Sequence, residues 1–72
     1  MDIYKIRPRQ DRRGFDLEST VLSHGHLWYQ DIFAAIGYAK WNSRVSGAKI
    51  EILDGTGTIV RSEMFQAGDF AY

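Results

Sequence analysis

Asp31–Gly47, DIFAAIGYAKWNSRVSG, is the one long segment with helical periodicity, and the neighbouring segments read as strands that need a cover. At 3.6 residues per turn Ile32, Ala35, Ile36, Ala39 and Ser43 share one side, a stripe of small and branched residues suited to lying on a sheet. Asp31 stands where an N-cap or first-turn acid belongs, Arg44 falls in the last turn, and Gly47 suits the left-handed position that ends a helix. The spacing therefore predicts a helix over 31–46. Ala34, Tyr38, Trp41 and Val45 follow spacings of four, three and four, so they form a second face roughly opposite the first. One small sheet cannot cover both faces. The second is solvent-exposed, folded over by the tail, or an interface.

Working outward, Asp2 to Arg9 alternates Tyr4, Ile6 and Pro8 with Lys5, Arg7 and Arg9, and Pro8 marks the end of a strand or a sheet edge. Gln10 to Gly14 suits a hairpin loop, and Gly14 to Val21 alternates again. Placing Arg7 opposite Asp16 also places Lys5 opposite Glu18 and turns Tyr4, Ile6, Phe15 and Leu17 inward together. Leu22 to Gln30 is expected to be a loop with Trp28 and Tyr29 as anchors, with room for a short extra strand. Ala48 to Leu53 turns Ile50 and Ile52 inward, Asp54-Gly55-Thr56-Gly57 is a hairpin turn, and Thr58 to Phe65 returns. The register of that return stays open between Ile59, or Val60 and Met64, on the face of Ile52. Residues 66–72 form a short tail.

The expected architecture is α+β in the order ββαββ: about four antiparallel strands with one helix across one face. The units are a hairpin (1–21), a loop (22–30), the helix (31–46), a second hairpin (48–65) and the tail. At 72 residues this is one domain. Ten aromatics and an apolar content of 44% argue against disorder. With no cysteine there is no disulfide framework and no thiolate metal site. The start, MDIYKIRPRQ, lacks the apolar core of a signal peptide, and no apolar run approaches the ~20 residues of a membrane span. The expected compartment is the cytoplasm of a prokaryote or a phage host.

An extended segment with a proline, Gly14-Phe15-Asp16-Leu17-x-Ser19, Ala35-Ile36-x-x-Ala39, Gly47-Ala48-x-Ile50-x-Ile52 and Asp54-Gly55 leading to Ile59 and Phe65 resemble the small bacterial domain-of-unknown-function family DUF2188. The resemblance covers most of residues 3–65 and implies a strand-strand-helix-strand-strand fold with no known activity. Residues 22–29, Tyr38 and Trp41 depart from that pattern.

The chemistry-bearing residues are few. His24 and His26 supply two metal ligands with no third nearby, so a polar loop is expected and no metal or cofactor. Asp16, Glu18 and Glu51 fall on an outward strand face among cations, so they read as solvated ion pairs rather than acid–base catalysts, and Asp54 opens a turn. No serine lies in a nucleophile elbow, and Gly55-Thr56-Gly57 lacks the lysine and helix of a phosphate loop. An enzyme is not expected. Nine basic side chains balance nine acidic ones, yet residues 1–13 carry five cations against two acids, a net +3. Arg7, Arg9, Arg12 and Arg13 are thus candidate nucleic-acid contacts, tempered by Asp16 and Glu18. The Tyr38, Trp41 and Val45 stripe points instead to a protein interface, with a second copy or another protein as partner. No membrane partner is expected. Protein binding through the helix is the first expectation, and nucleic-acid binding through the arginine hairpin the second.

Overall fold

A computed structural model describes residues 1–23 and 25–67. Among these, five strands and one helix follow in the order β1 (Asp2–Pro8), β2 (Phe15–Glu18), β3 (His26–Tyr29), α1 (Ile32–Asn42), β4 (Ala48–Leu53) and β5 (Ile59–Phe65). They build one mixed sheet in the order β3-β2-β1-β4-β5, with α1 packed over β1 to β4 on one face.

The α+β class holds, but four antiparallel strands do not. The segment 22–30, expected as a loop, contains β3, which pairs antiparallel with β2 from Phe15↔Tyr29 to Glu18↔His26. That extra strand reverses the chain once more before the helix. With β1 and β3 running alike and α1 running back, β4 enters in the direction of β1. The two pair in parallel from Asp2↔Ala48 to Ile6↔Ile52. A strand–helix–strand crossover over the sheet is the ordinary way to make such a neighbour.

The first hairpin has the expected register, with Lys5 opposite Glu18 and Arg7 opposite Asp16. Tyr4, Ile6 and Leu17 are buried beneath the helix and Phe15 is half-buried beside them. The ion pairs run one step diagonally. Arg7 Nε lies 3.1 Å from a Glu18 oxygen, at an angle that leaves its N–H without a hydrogen bond, while Arg9 donates to Asp16 at 3.0 Å. Gly14, at φ 130°, lets this hairpin meet β3, since a Cβ there would stand 2.4 Å from the Tyr29 carbonyl oxygen.

The helix begins where expected: the Asp31 carboxylate accepts from the Phe33 amide at 2.9 Å. It ends a turn early, at Asn42 with Ser43 as C-cap, because residues 43–46 turn to reach β4. Gly47 takes the left-handed conformation at φ 86°, with its amide on the Ser43 carbonyl. Ala35, Ala39 and Ser43 are buried, and Ile32 and Ile36 half-buried, as the first stripe requires. Ile50 and Ile52 are buried on the same side.

The second hairpin closes with Asp54 Oδ1 accepting from the Thr56 amide, the Thr56 hydroxyl and the Thr58 amide. The register shifts between Ile52↔Arg61 and Leu53↔Ile59, which makes Val60 the extra residue of a bulge. Arg61, Glu63 and Phe65 therefore share the face of Ile52, Ile50 and Ala48, while Met64 lies opposite Lys49 on the other face. No helix among the described residues is long and apolar enough to cross a membrane.

Candidate interaction surface

The stripe of Tyr38, Trp41 and Val45 does not survive as one surface. Tyr38 is half-buried and turns toward β3, its ring 6.1 Å from that of Tyr29. Burial, then the charge of Tyr38, raises the Tyr29 phenol pKa. Val45 is 80% exposed but lies past the helix end, where helical spacing no longer governs its direction. Only Trp41, 59% exposed, remains on the outer helix. The Arg44 guanidinium covers its ring at 3.8 Å and donates to the Trp41 carbonyl at 2.8 Å.

Its companion is a residue outside both stripes. Phe33, two turns earlier, is 76% exposed. Between them stands Gly37, where a Cβ would meet nothing within 4 Å. The Phe33-x3-Gly37-x3-Trp41 spacing is the signal that could have found this ridge: two large rings at i and i+8 flank the one residue with no side chain.

Phe33 also borders a hollow of about 320 Å³ between the helix and β5, walled by Ile36 and Ile52 and floored by Arg61, Glu63 and Phe65. Lys40 Nζ sits 4.4 Å from the centre of the Phe65 ring at its margin. The hollow exists because α1 lies over β1 to β4, leaving β5 outside its footprint.

The arginine hairpin is divided. Arg7 and Arg9 face acids, and Arg9 bonds both Asp16 and Asp11. The Asp16 bond comes first in raising the Arg9 pKa, and the Arg13 amide comes first in lowering that of Asp11. Arg12, held at φ 59°, and Arg13 stand at the exposed tip. Beside them Trp28, half exposed, donates its indole N–H to the Arg13 carbonyl. Across the open sheet face His26, Glu18, Lys5 and Glu51 line up in consecutive strands, so acids alternate with bases.

The remaining expectations concern the imidazoles and the tail. His26 is exposed on β3, His24 lies outside the described residues, and no three potential metal ligands cluster among the described residues. Of the tail, 66–72, which was one possible cover for the Trp41 face, residues 68–72 also lie outside the described residues.

No protein-family model matches the chain, and no curated protein or solved structure matches it either.

Proposed function

We propose that this chain is a small interaction module that docks an acidic, apolar segment of another protein on the outer face of α1, through Phe33 and Trp41. The carrying observation is the exposure of those two rings on a helix whose opposite stripe is already spent on the core. Aromatic anchors of this size dominate binding energy when a partner covers them. The charge beside Trp41 is cationic, since Arg44 lies on its ring, while Asp31 caps the other end of the helix, at the turn that carries Phe33. An acidic segment would complement that cationic end.

Selection from a displayed library of random peptides tests this. Recovered binders should combine acids with apolar residues, and should lose binding to Phe33→Ser and Trp41→Glu while circular dichroism shows both variants folded. Binders indifferent to both substitutions, or a Trp41→Glu chain that unfolds, would refute it. A second reading, nucleic-acid binding, draws support from Arg12 and Arg13 beside the exposed Trp28 ring. Charge reversal at those two arginines separates the readings, because it should weaken salt-dependent oligonucleotide binding and leave peptide binding unchanged.

A further inference from the structure

We infer that β5 is a self-pairing edge: two copies of the chain join antiparallel along Val60–Met64, about a two-fold axis through Ser62, into one continuous sheet. This surface is separate from the helix face and does not depend on the docking reading above.

β5 is seven residues long, pairs with β4 on one side and, among the described residues, ends the sheet on the other. An edge strand of that length is a template for another strand. Natural sheets usually blunt such edges with charge or a bulge; the bulge of β5 lies at its start, at Val60, and its regular run carries two charges, Arg61 and Glu63. They have opposite signs and stand symmetrically about Ser62. The strand reads Ile-Val-Arg-Ser-Glu-Met-Phe, apolar pairs outside and an ion pair inside.

In the antiparallel register centred on Ser62, Arg61 faces the second copy's glutamate and Glu63 its arginine. Val60 then faces methionine, while Ile59, beyond the bulge and on the face opposite Phe65, falls outside the regular register. Sliding the strands by two residues in either direction sets arginine on arginine or glutamate on glutamate. Directly opposed like charges are unfavourable, so one register is singled out. Within a single chain Arg61 Nε already lies 3.5 Å from Glu63 Oε2. Pairing closes the two couples into a ring of four alternating charges. About four to six main-chain hydrogen bonds would form along Val60–Met64. Pairing would also cover Val60 and Met64, each 50% exposed or more. Because directly opposed residues lie on one face, both helices end on the same side of the joined sheet.

Light scattering across a concentration series tests the assignment. The wild-type chain should pass from monomer to dimer. Arg61→Glu and Glu63→Arg, each alone, place four like charges at the junction and should raise the dimer Kd at least about tenfold. The double exchange Arg61→Glu with Glu63→Arg restores the alternation and should return the dimer. Circular dichroism on each variant confirms that the chain is folded. A wild-type chain monomeric throughout the series would overturn the inference. So would a dimer indifferent to both single reversals, a double exchange that stays dissociated, or a dimer lost in Trp41→Glu but kept in the β5 variants. Loss of peptide docking in a chain that still dimerises would count against the helix face alone.

Discussion

Replacing Tyr4 and Ser43, singly and together, should show energetic coupling of about 1 kcal/mol through a directed chain of hydrogen bonds. Asn42 Nδ2 donates to the Tyr4 hydroxyl at 2.9 Å, Tyr4 and Ser43 hydroxyls meet at 2.5 Å, and Ser43 donates to Asp2 Oδ2 at 2.6 Å. Ser43 has one hydroxyl proton and gives it to the carboxylate, so Tyr4 must be the donor between them. Both hydroxyl residues are buried, Tyr4 at 0% and Ser43 at 1% exposure. Tyr4→Phe removes one buried bond and leaves Asn42, which is exposed, to water; it should cost about 1 kcal/mol. Ser43→Ala strands the Tyr4 O–H in the core and frees Asp2, so it should cost about 2 kcal/mol. In the double variant no stranded donor remains, and the total should be about 2 kcal/mol rather than the sum of about 3. For a domain this size, each kcal/mol lowers Tm by about 4–8 °C. Urea unfolding followed by far-ultraviolet circular dichroism measures all three. Additive costs, or a Tyr4→Phe cost above that of Ser43→Ala, would refute the assigned direction.

Three further outcomes can be checked with the same measurements. Gly47→Ala should destabilise the chain by about 1–3 kcal/mol, because φ is 86° and the new Cβ would stand 2.9 Å from the Phe65 carbonyl oxygen. Gly37→Ala should instead stabilise it by about 0.5–1 kcal/mol, since this helical position opens onto free space; in peptide binding the methyl should fill the notch between Phe33 and Trp41 and weaken docking. The Thr56 hydroxyl, then the Thr58 and Thr56 amides, lower the Asp54 pKa, so its contribution is present above the unfolded carboxylate value near pH 4 and is lost as pH falls through the folded value. Asp54→Asn should flatten that acid limb of the melting profile, and an unchanged limb would show that the turn carboxylate is not its source.

Much of the core was legible because alternation and helical spacing are local rules. Lys5 opposite Glu18 and Arg7 opposite Asp16 follow from one register that satisfies an apolar and a charged face together. Asp31 as the cap and the Ala35–Ala39 stripe follow in the same way. The direction of β4 was not legible, because it depends on the parity of chain reversals. Missing the four residues of β3 inverts it, and His26-Leu27-Trp28-Tyr29 alternates too briefly beside a glycine to declare itself. Val45 was misplaced by carrying helical spacing past Asn42, and Tyr38 because β3, whose Tyr29 ring lies 6.1 Å from its own, was read as a loop. Phe33 was missed because helical spacing shows which residues share a face, but not which face the sheet leaves bare.

The two proposed surfaces meet across the sheet. In the β5-paired dimer the helices lie on one side, each over the strands inward of β5. The strands under α1 centre between β2 and β1, so the two helices lie about six strand spacings apart, about 29 Å at roughly 4.8 Å each. Subtracting about 10–12 Å for one helix diameter leaves a trough of about 17–19 Å. Its floor is the charge ring of the two β5 strands, and its walls carry Phe33 and Ile36 of each copy, since both residues line the hollow beside β5. One helix of a partner fits that width. A peptide seated there would touch both Phe33 rings, so its affinity should rise with dimer formation. Arg61→Glu should then weaken peptide binding although Arg61 lies off the outer helix face, and the Arg61→Glu, Glu63→Arg exchange should restore it. Calorimetric titration at protein concentrations below and above the dimer Kd measures this directly. Equal affinity in the two regimes, with one peptide per chain, would mean that each helix docks its partner alone and that the trough is not the binding site.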